Sequence, residues 1–169
     1  LLGVIFSSDL SWEQHVSYML NKVSKRFYII FQLVKIGVSQ PDIILIYCAI
    51  IRSILEYACA VWHSGITTAQ SDDIERVQRR CLRVIYPELS YSDSLFVSGL
   101  ERLNVRRDNI VRNLFRDIQQ PNHILHDLLL PFKNVHKVNT RDSYLFKLSA
   151  VRTKRYSSSF IPYCIRKRY

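Results

Sequence analysis

Four arginines, Arg76, Arg79, Arg80 and Arg83, recur three and four residues apart with no acid among them. On a helix advancing about 100° per residue they fall together in an arc of about 100°. Ile74, Val77, Cys81, Leu82, Val84 and Ile85 span the other side. Guanidinium groups bind phosphate through several donors at once, so a row of them is suited to a polyanion. The same row also suits an ordinary solvated face. Like charges three and four apart repel mildly, so helix stability alone does not favour the arrangement, and a bound anion would relieve it. A second concentration follows near the C-terminus, where Arg152, Lys154, Arg155, Arg166, Lys167 and Arg168 alternate with Tyr144, Phe146, Tyr156, Phe160, Tyr163 and Tyr169. Cations that track phosphates, interleaved with rings that stack on bases, suit single-stranded nucleic acid. A solvated tail whose aromatics dock on the body is the alternative.

Other chemistries find little footing. Polymerase or nuclease catalysis needs clustered carboxylates to hold a divalent metal. The one adjacent acid pair, Asp72-Asp73, opens a helix and lacks the flanking hydrophobic strands of a metal-holding hairpin. No Gly-x-Gly or Gly-Lys-Ser/Thr phosphate loop occurs, nor a serine nucleophile elbow. His123 and His126 share a helical face, but no third ligand has a matching spacing. The chain is therefore expected to hold no catalytic centre and no cofactor. Cys48, Cys59, Cys81 and Cys164 include no C-x-x-C pair. For Cys48, Cys59 and Cys81, which fall within helical patterns, buried, reduced thiols are expected, in an intracellular setting such as cytoplasm or nucleus.

The net charge of +10 is unevenly placed. Residues 1–130 hold 14 Lys+Arg and 13 Asp+Glu, a net of +1; residues 131–169 hold 10 Lys+Arg and only Asp142, a net of +9. A nearly neutral body followed by a basic tail fits a folded domain with a segment that meets a polyanion. At 169 residues and 48% hydrophobic content, one domain with a real core is expected. Four Gly and five Pro argue against a turn-rich β-sandwich. The longest uninterrupted apolar run, Ile43 to Ile51, is short for a bilayer span, so no membrane partner is expected. The chain opens with Leu1 and its only methionine is Met19, which reads as a piece of a larger product.

Helices must position these residues. Leu2 to Phe6 suit a short strand. Ser11, with Gln14 three residues on, reads as a capping box for a helix to about Lys35, closed by Gly37. Ser39, Pro41 and Asp42 open a second helix, apolar nearly all round to Trp62 and ended by Ser64-Gly65; Arg52 and Glu56 can pair along it. The arginine-bearing helix runs from about Thr68 to just before Pro87. Ser90 with Asp93 caps a short helix ending at Gly99, and residues 101–119 form another, with Leu103, Ile110, Val111, Leu114, Phe115 and Ile118 inward. Arg107 falls on that inward side, so it should be partly buried and paired, Glu56 being one candidate. The reading is a mainly α bundle of about four to five helices. Residues 1–10 are its remnant strand and turn, 11–130 its helical domain, and 131–169 an irregular basic tail.

Four stretches together resemble the region just after the polymerase palm in reverse transcriptases of non-LTR (LINE-type) retrotransposons. They are Leu2-Gly3-Val4 with Asp9-Leu10-Ser11-Trp12 and His15; Arg52-Ser53-Ile54-Leu55-Glu56-Tyr57-Ala58 with Val61-Trp62; Ile74-Glu75 with Val77-Gln78-Arg79-Arg80 and Leu82-Arg83; and Arg152-Thr153-Lys154-Arg155-Tyr156 with Ser159-Phe160-Ile161-Pro162-Tyr163. Their order and spacing cover essentially the whole chain. Ala60 stands where many relatives carry proline, and the palm's Asp-Asp motif is absent. The opening stretch also looks like a segment of some AlkB-type alkylation-repair homologues, without their metal-binding His-x-Asp. The retrotransposon resemblance implies a thumb-like helical domain gripping a template–primer duplex. It implies a parent RNA-directed DNA polymerase, with Mg²⁺ held in a preceding palm that is this region's partner. Arg76, Arg79, Arg80, Arg83 and the tail cations would contact RNA, DNA or hybrid phosphates. A structural or protein-interaction module is the competing reading.

Overall fold

Side chains at the helix starts decide much of the architecture. The Ser39 hydroxyl accepts from the Asp42 N–H at 3.4 Å, with Pro41 in the first turn, and opens α2 (Gln40–Tyr47) behind α1 (Glu13–Lys35). Gly37, at φ +78°, makes the intervening turn. Ser11 does not cap α1 as its sequence suggests. Its own N–H donates to Asp9 Oδ1 at 3.0 Å, and Trp12 occupies the cap with no side-chain hydrogen bond. These observations come from a computed structural model that describes residues 2–9, 11–131, 146 and 153–169.

The long apolar segment is not one regular helix. After α2 the backbone widens into a π-helical turn, Cys48–Arg52, narrows to α3 (Ser53–Glu56), and breaks at Ala58, whose φ is +49°. Arg26 Nη1 donates to the Ile50 carbonyl at 3.0 Å and serves the widened turn. The chain resumes as α4 (Cys59–Trp62) and ends in a 3₁₀ turn, His63–Gly65. By length and composition alone, Gln40–Gly65 could cross a membrane, which the run Ile43 to Ile51 by itself does not suggest. It carries Arg52 and Glu56, and it buries Ile43, Tyr47, Ile51 and Leu55 while leaving Leu45 and Val61 exposed.

The arginine-bearing helix is α5 (Thr68–Ile85). Thr67 and Gln70 form a capping box, each side chain accepting from the other's backbone N–H, at 3.2 and 2.9 Å. Then come α6 (Tyr91–Ser98), capped by Ser90 and closed by Gly99 at φ +65°, and α7 (Leu103–Ile118). Near the C-terminus lie α8 (Lys154–Ser157) and α9 (Phe160–Lys167). The molecule is mainly helical, and the described residues hold no β-strand; the strand expected over residues 2–6 is not formed, Leu2 and Gly3 taking positive φ.

The chain divides into two compact units, Leu1–Cys59 with Ile66–Arg107, and Ala60–Gly65 with Asp108–Tyr169. The division falls inside α7 and does not follow the sequence boundaries at 10 and 130. In the first unit, α1 packs on α2, α3 and α5. Its core takes Val16, Met19, Val23 and Ile30 from α1 and Ile74, Cys81, Leu82 and Ile85 from α5. The second unit's core joins Val111 and Phe115 of α7 to Phe146 and to Cys164 and Ile165 of α9. The C-terminal segment is therefore not irregular throughout. Phe160, Ile161, Cys164 and Ile165 recur at helical spacing and bury one face of α9.

Candidate nucleic-acid interface

Helix α5 buries Ile74, Glu75, Gln78, Cys81, Leu82 and Ile85, and this fixes where its arginines point. Arg76, Arg79, Arg80 and Arg83 are all exposed on the far face, at the positions the spacing predicts. The row is not uniform. Arg76 Nη1 pairs with Asp73 Oδ1 at 2.7 Å, one turn back. The Arg79 guanidinium lies 4.9 Å from the centre of the Tyr91 ring, and that of Arg80 lies 4.2 Å from the Phe27 ring. Arg79 thus leans toward α6 and Arg80 toward α1, so the stripe parts into two halves.

The half at Arg79 faces a cleft of about 340 Å³ lined by Asp72, Glu75, Arg76, Arg79, Arg102 and Asn104. A polar network makes its floor. Glu75 accepts from the Tyr91 hydroxyl at 2.5 Å and from the Leu103 backbone N–H, the first of α7, at 2.9 Å. Gln78, wholly buried, donates to the Glu101 carbonyl at 2.9 Å and to the Tyr91 hydroxyl at 3.2 Å, and accepts from the Tyr47 hydroxyl at 2.7 Å. Burial and the Glu75 hydrogen bond push the Tyr91 phenol well up, and burial does the same to Tyr47, so both stay protonated donors at neutral pH. Sequence reasoning missed Glu75 and Gln78. Yet Gln78 projects onto the apolar arc of α5 and Glu75 onto its edge, where a polar side chain needs partners. It also missed Arg102, which precedes α7 and has no periodic signature.

Arg107 is wholly buried, more than its position suggested, and its Nη2 donates to Ser71 Oγ at 2.9 Å. Burial lowers its pKa, and the Glu75 carboxylate opposes this. Glu56 instead takes Arg106 as its close partner, Nε to Oε1 at 2.7 Å, and Arg52 at 4.0 Å.

In the second unit the basic residues divide differently. Lys154, Arg155, Arg166, Lys167 and Arg168 are exposed, on or beside α8 and α9. Arg166 Nε donates to the Pro162 carbonyl at 3.3 Å and its Nη2 to the Ser157 carbonyl. Lys167 Nζ lies 5.8 Å from the Tyr163 ring centre, and Arg168 closes α9 in a left-handed conformation. Arg152 lies outside the described residues, as does Tyr144. Asp108 anchors the chain end by accepting from Tyr163, at 2.8 Å, and from Tyr169. His63 Nε2 lies 3.7 Å from the same carboxylate. His123 Nδ1 accepts from the Leu125 N–H at 3.1 Å, and His126 Nδ1 lies 3.0 Å from the Ile118 carbonyl, so each imidazole serves a local turn. Among the described residues no group of three or more His, Cys, Asp or Glu is placed to hold a metal.

Comparison of the chain with family models, with curated proteins and with solved structures returned no match.

Proposed function

We propose that this chain is a non-catalytic, nucleic-acid-binding helical region from the RNA-directed DNA polymerase of a non-LTR retrotransposon, following the palm domain. Its work is to bind and position nucleic acid. Mg²⁺ and the chemistry would belong to the palm, whose sheet would also give residues 2–6 strand partners. An intracellular setting goes with this reading.

The observation that carries it is the arginine row of α5. Four guanidiniums stand exposed on one face, and a fully packed opposite face prevents the helix from turning them away. Phosphate contacts of this kind are independent of sequence and sensitive to salt. Four engaged phosphates give a slope of about −3 for log affinity against log salt on a single strand. A fluorescence-anisotropy titration over a range of salt concentrations measures it, and a flat response overturns the proposal. Lys154, Arg155, Lys167 and Arg168, with Arg152, form the second contact surface. Arg166 spends donors on the Pro162 and Ser157 carbonyls and is assigned mainly to folding. Deleting residues 131–169 is a poor test, because Phe146, Cys164 and Ile165 complete a core. Charge substitutions on α8 and α9 replace it.

The structural-module reading draws on a specific observation too: Arg76, Arg79 and Arg80 already have intramolecular partners. Those partners are one half-buried acid and two ring faces. Exposed ion pairs and cation–π contacts contribute only about 1 kcal/mol or less, so a phosphate displaces or shares them readily.

A further inference from the structure

We infer that the cleft beside Arg79 and Arg102 takes a ribonucleotide unit of an RNA strand and discriminates it from the deoxy form through Asp72; this rests on the nucleic-acid-binding reading above. A site meant for phosphate alone has no use for carboxylates, which repel the ligand. This cleft has two, Asp72 and Glu75, beside three arginines. Glu75 is committed, one oxygen holding the Tyr91 hydroxyl and the other the first N–H of α7. Asp73, the neighbouring acid, is committed to Arg76 at 2.7 Å. Asp72 is exposed on the cleft wall, one turn of α5 before Arg76.

The cations are braced. Arg79 rests on the Tyr91 ring at 4.9 Å, and that ring is pinned by its hydroxyl to Glu75 and Gln78. Arg102 enters from the segment before α7, whose start Glu75 fixes. Two cations on different elements, with an acceptor beside them, suit a ligand carrying an anion and a hydroxyl donor a few ångströms apart. In a nucleic-acid strand that donor is the ribose 2′-hydroxyl next to the 3′ phosphate, the group by which a protein tells RNA from DNA. DNA would bring the phosphate and leave Asp72 facing it without a proton donor. A volume of about 340 Å³ lies at the lower end of the range for small-ligand sites and suits one nucleotide.

The test compares a short labelled oligouridylate with the matching oligodeoxyuridylate by fluorescence anisotropy, using the full chain at one fixed salt concentration. The wild type is expected to bind the ribo strand about tenfold more tightly, the size of one hydrogen bond to a charged group. Asp72→Ala is expected to bring the ratio to about one, with deoxy affinity unchanged or raised. Arg102→Ala, which leaves the α5 row intact, is expected to weaken both strands. Circular dichroism on each variant confirms that the helices are retained. Equal, salt-sensitive binding of both strands by the wild type overturns this inference and leaves the nucleic-acid reading standing. A ratio that survives Asp72→Ala, or an Arg102→Ala variant with unchanged affinities, also overturns it. Failure of both strands to bind removes the nucleic-acid reading itself.

Discussion

Helices α5 and α9 both carry cations beside a buried face, yet what lies under the cations differs. Under α5 the buried side includes Glu75 and Gln78, whose hydrogen bonds reach α2, α6 and the start of α7. Under α9 it is Cys164 and Ile165, packed with Val111, Phe115 and Phe146. The cations follow suit. Arg166 turns back to the Pro162 carbonyl of its own helix, whereas Arg76, Arg79 and Arg80 of α5 contact one half-buried acid and two ring faces and stay open to solvent. Net charge alone is thus a poor guide to how cations are presented. The tail holds most of the surplus, but α5 holds the better-presented row.

The contrast in cores is open to breakage, and the apolar one should break hardest. Phe115 is 1% exposed and makes edge-on ring contacts with Phe146 and Phe160, both at 6.2 Å between centres. Phe115→Ala should destabilise the second unit by about 3–5 kcal/mol in urea denaturation. A loss below about 1 kcal/mol would mean that α9 is not held by this core.

The polar core should respond next. Glu75→Gln keeps the shape and an acceptor but removes the charge that the Tyr91 hydroxyl, the α7 N–H and buried Arg107 all face. A loss of about 2 kcal/mol is expected by the same method. The mutant should also show a more mobile Tyr91 ring by NMR, whereas Phe115→Ala should not move that signal.

The ease of reading the two regions from sequence differs for the same reason. Helix starts at Ser39 and Ser90 and stops at Gly37 and Gly99 are local chemistry, visible in single residues, and the face carrying Arg76, Arg79, Arg80 and Arg83 follows from periodicity alone. What sequence hid depends on partners distant in the chain. The α1 cap is the exception, where Asp9, only two residues away, accepts from the Ser11 N–H and Trp12 takes the cap position. Ala58 holds a positive φ without glycine to announce it, while the neighbouring Tyr57 hydroxyl donates to the Leu2 carbonyl at 2.7 Å. Helix α9 is short and carries Pro162 in its first turn, so its period is too brief to stand out from a basic, aromatic composition. Arg102 reaches the cleft because the Leu103 N–H beside it donates to Glu75 of α5, 28 residues away.

A subtler difference concerns acid. Burial raises the Asp108 pKa, but the hydrogen bonds from Tyr169 and Tyr163 and the nearby His63 and Lys167 outweigh it, so the net shift is below the ordinary 3.8. A carboxylate held down in the folded state contributes stability that is complete above its unfolded pKa and is lost as pH falls through the folded value. Asp108→Asn should therefore lower stability at neutral pH and flatten the decline below about pH 4, read as urea midpoints across a pH series. Unchanged urea midpoints in Asp108→Asn across the series would mean that the Tyr163 and Tyr169 hydroxyls do not hold the chain end through this carboxylate.

The smallest stability effect should be the most informative about function. Arg83 is exposed on α5, and Arg83→Ala should leave stability within about 0.5 kcal/mol. Its slope of log affinity against log salt should nonetheless become shallower by about 0.7–0.9, one phosphate fewer. Arg166→Ala should do the reverse. It loses donors to Pro162 and Ser157, which should lower stability by about 0.5–1 kcal/mol and leave the slope in place. Because a cation cannot both satisfy a carbonyl of its own helix and neutralise a phosphate with the same donor, the two variants should separate in opposite directions on the two axes. If both change the slope equally, binding follows net charge and the presentation of α5 confers nothing.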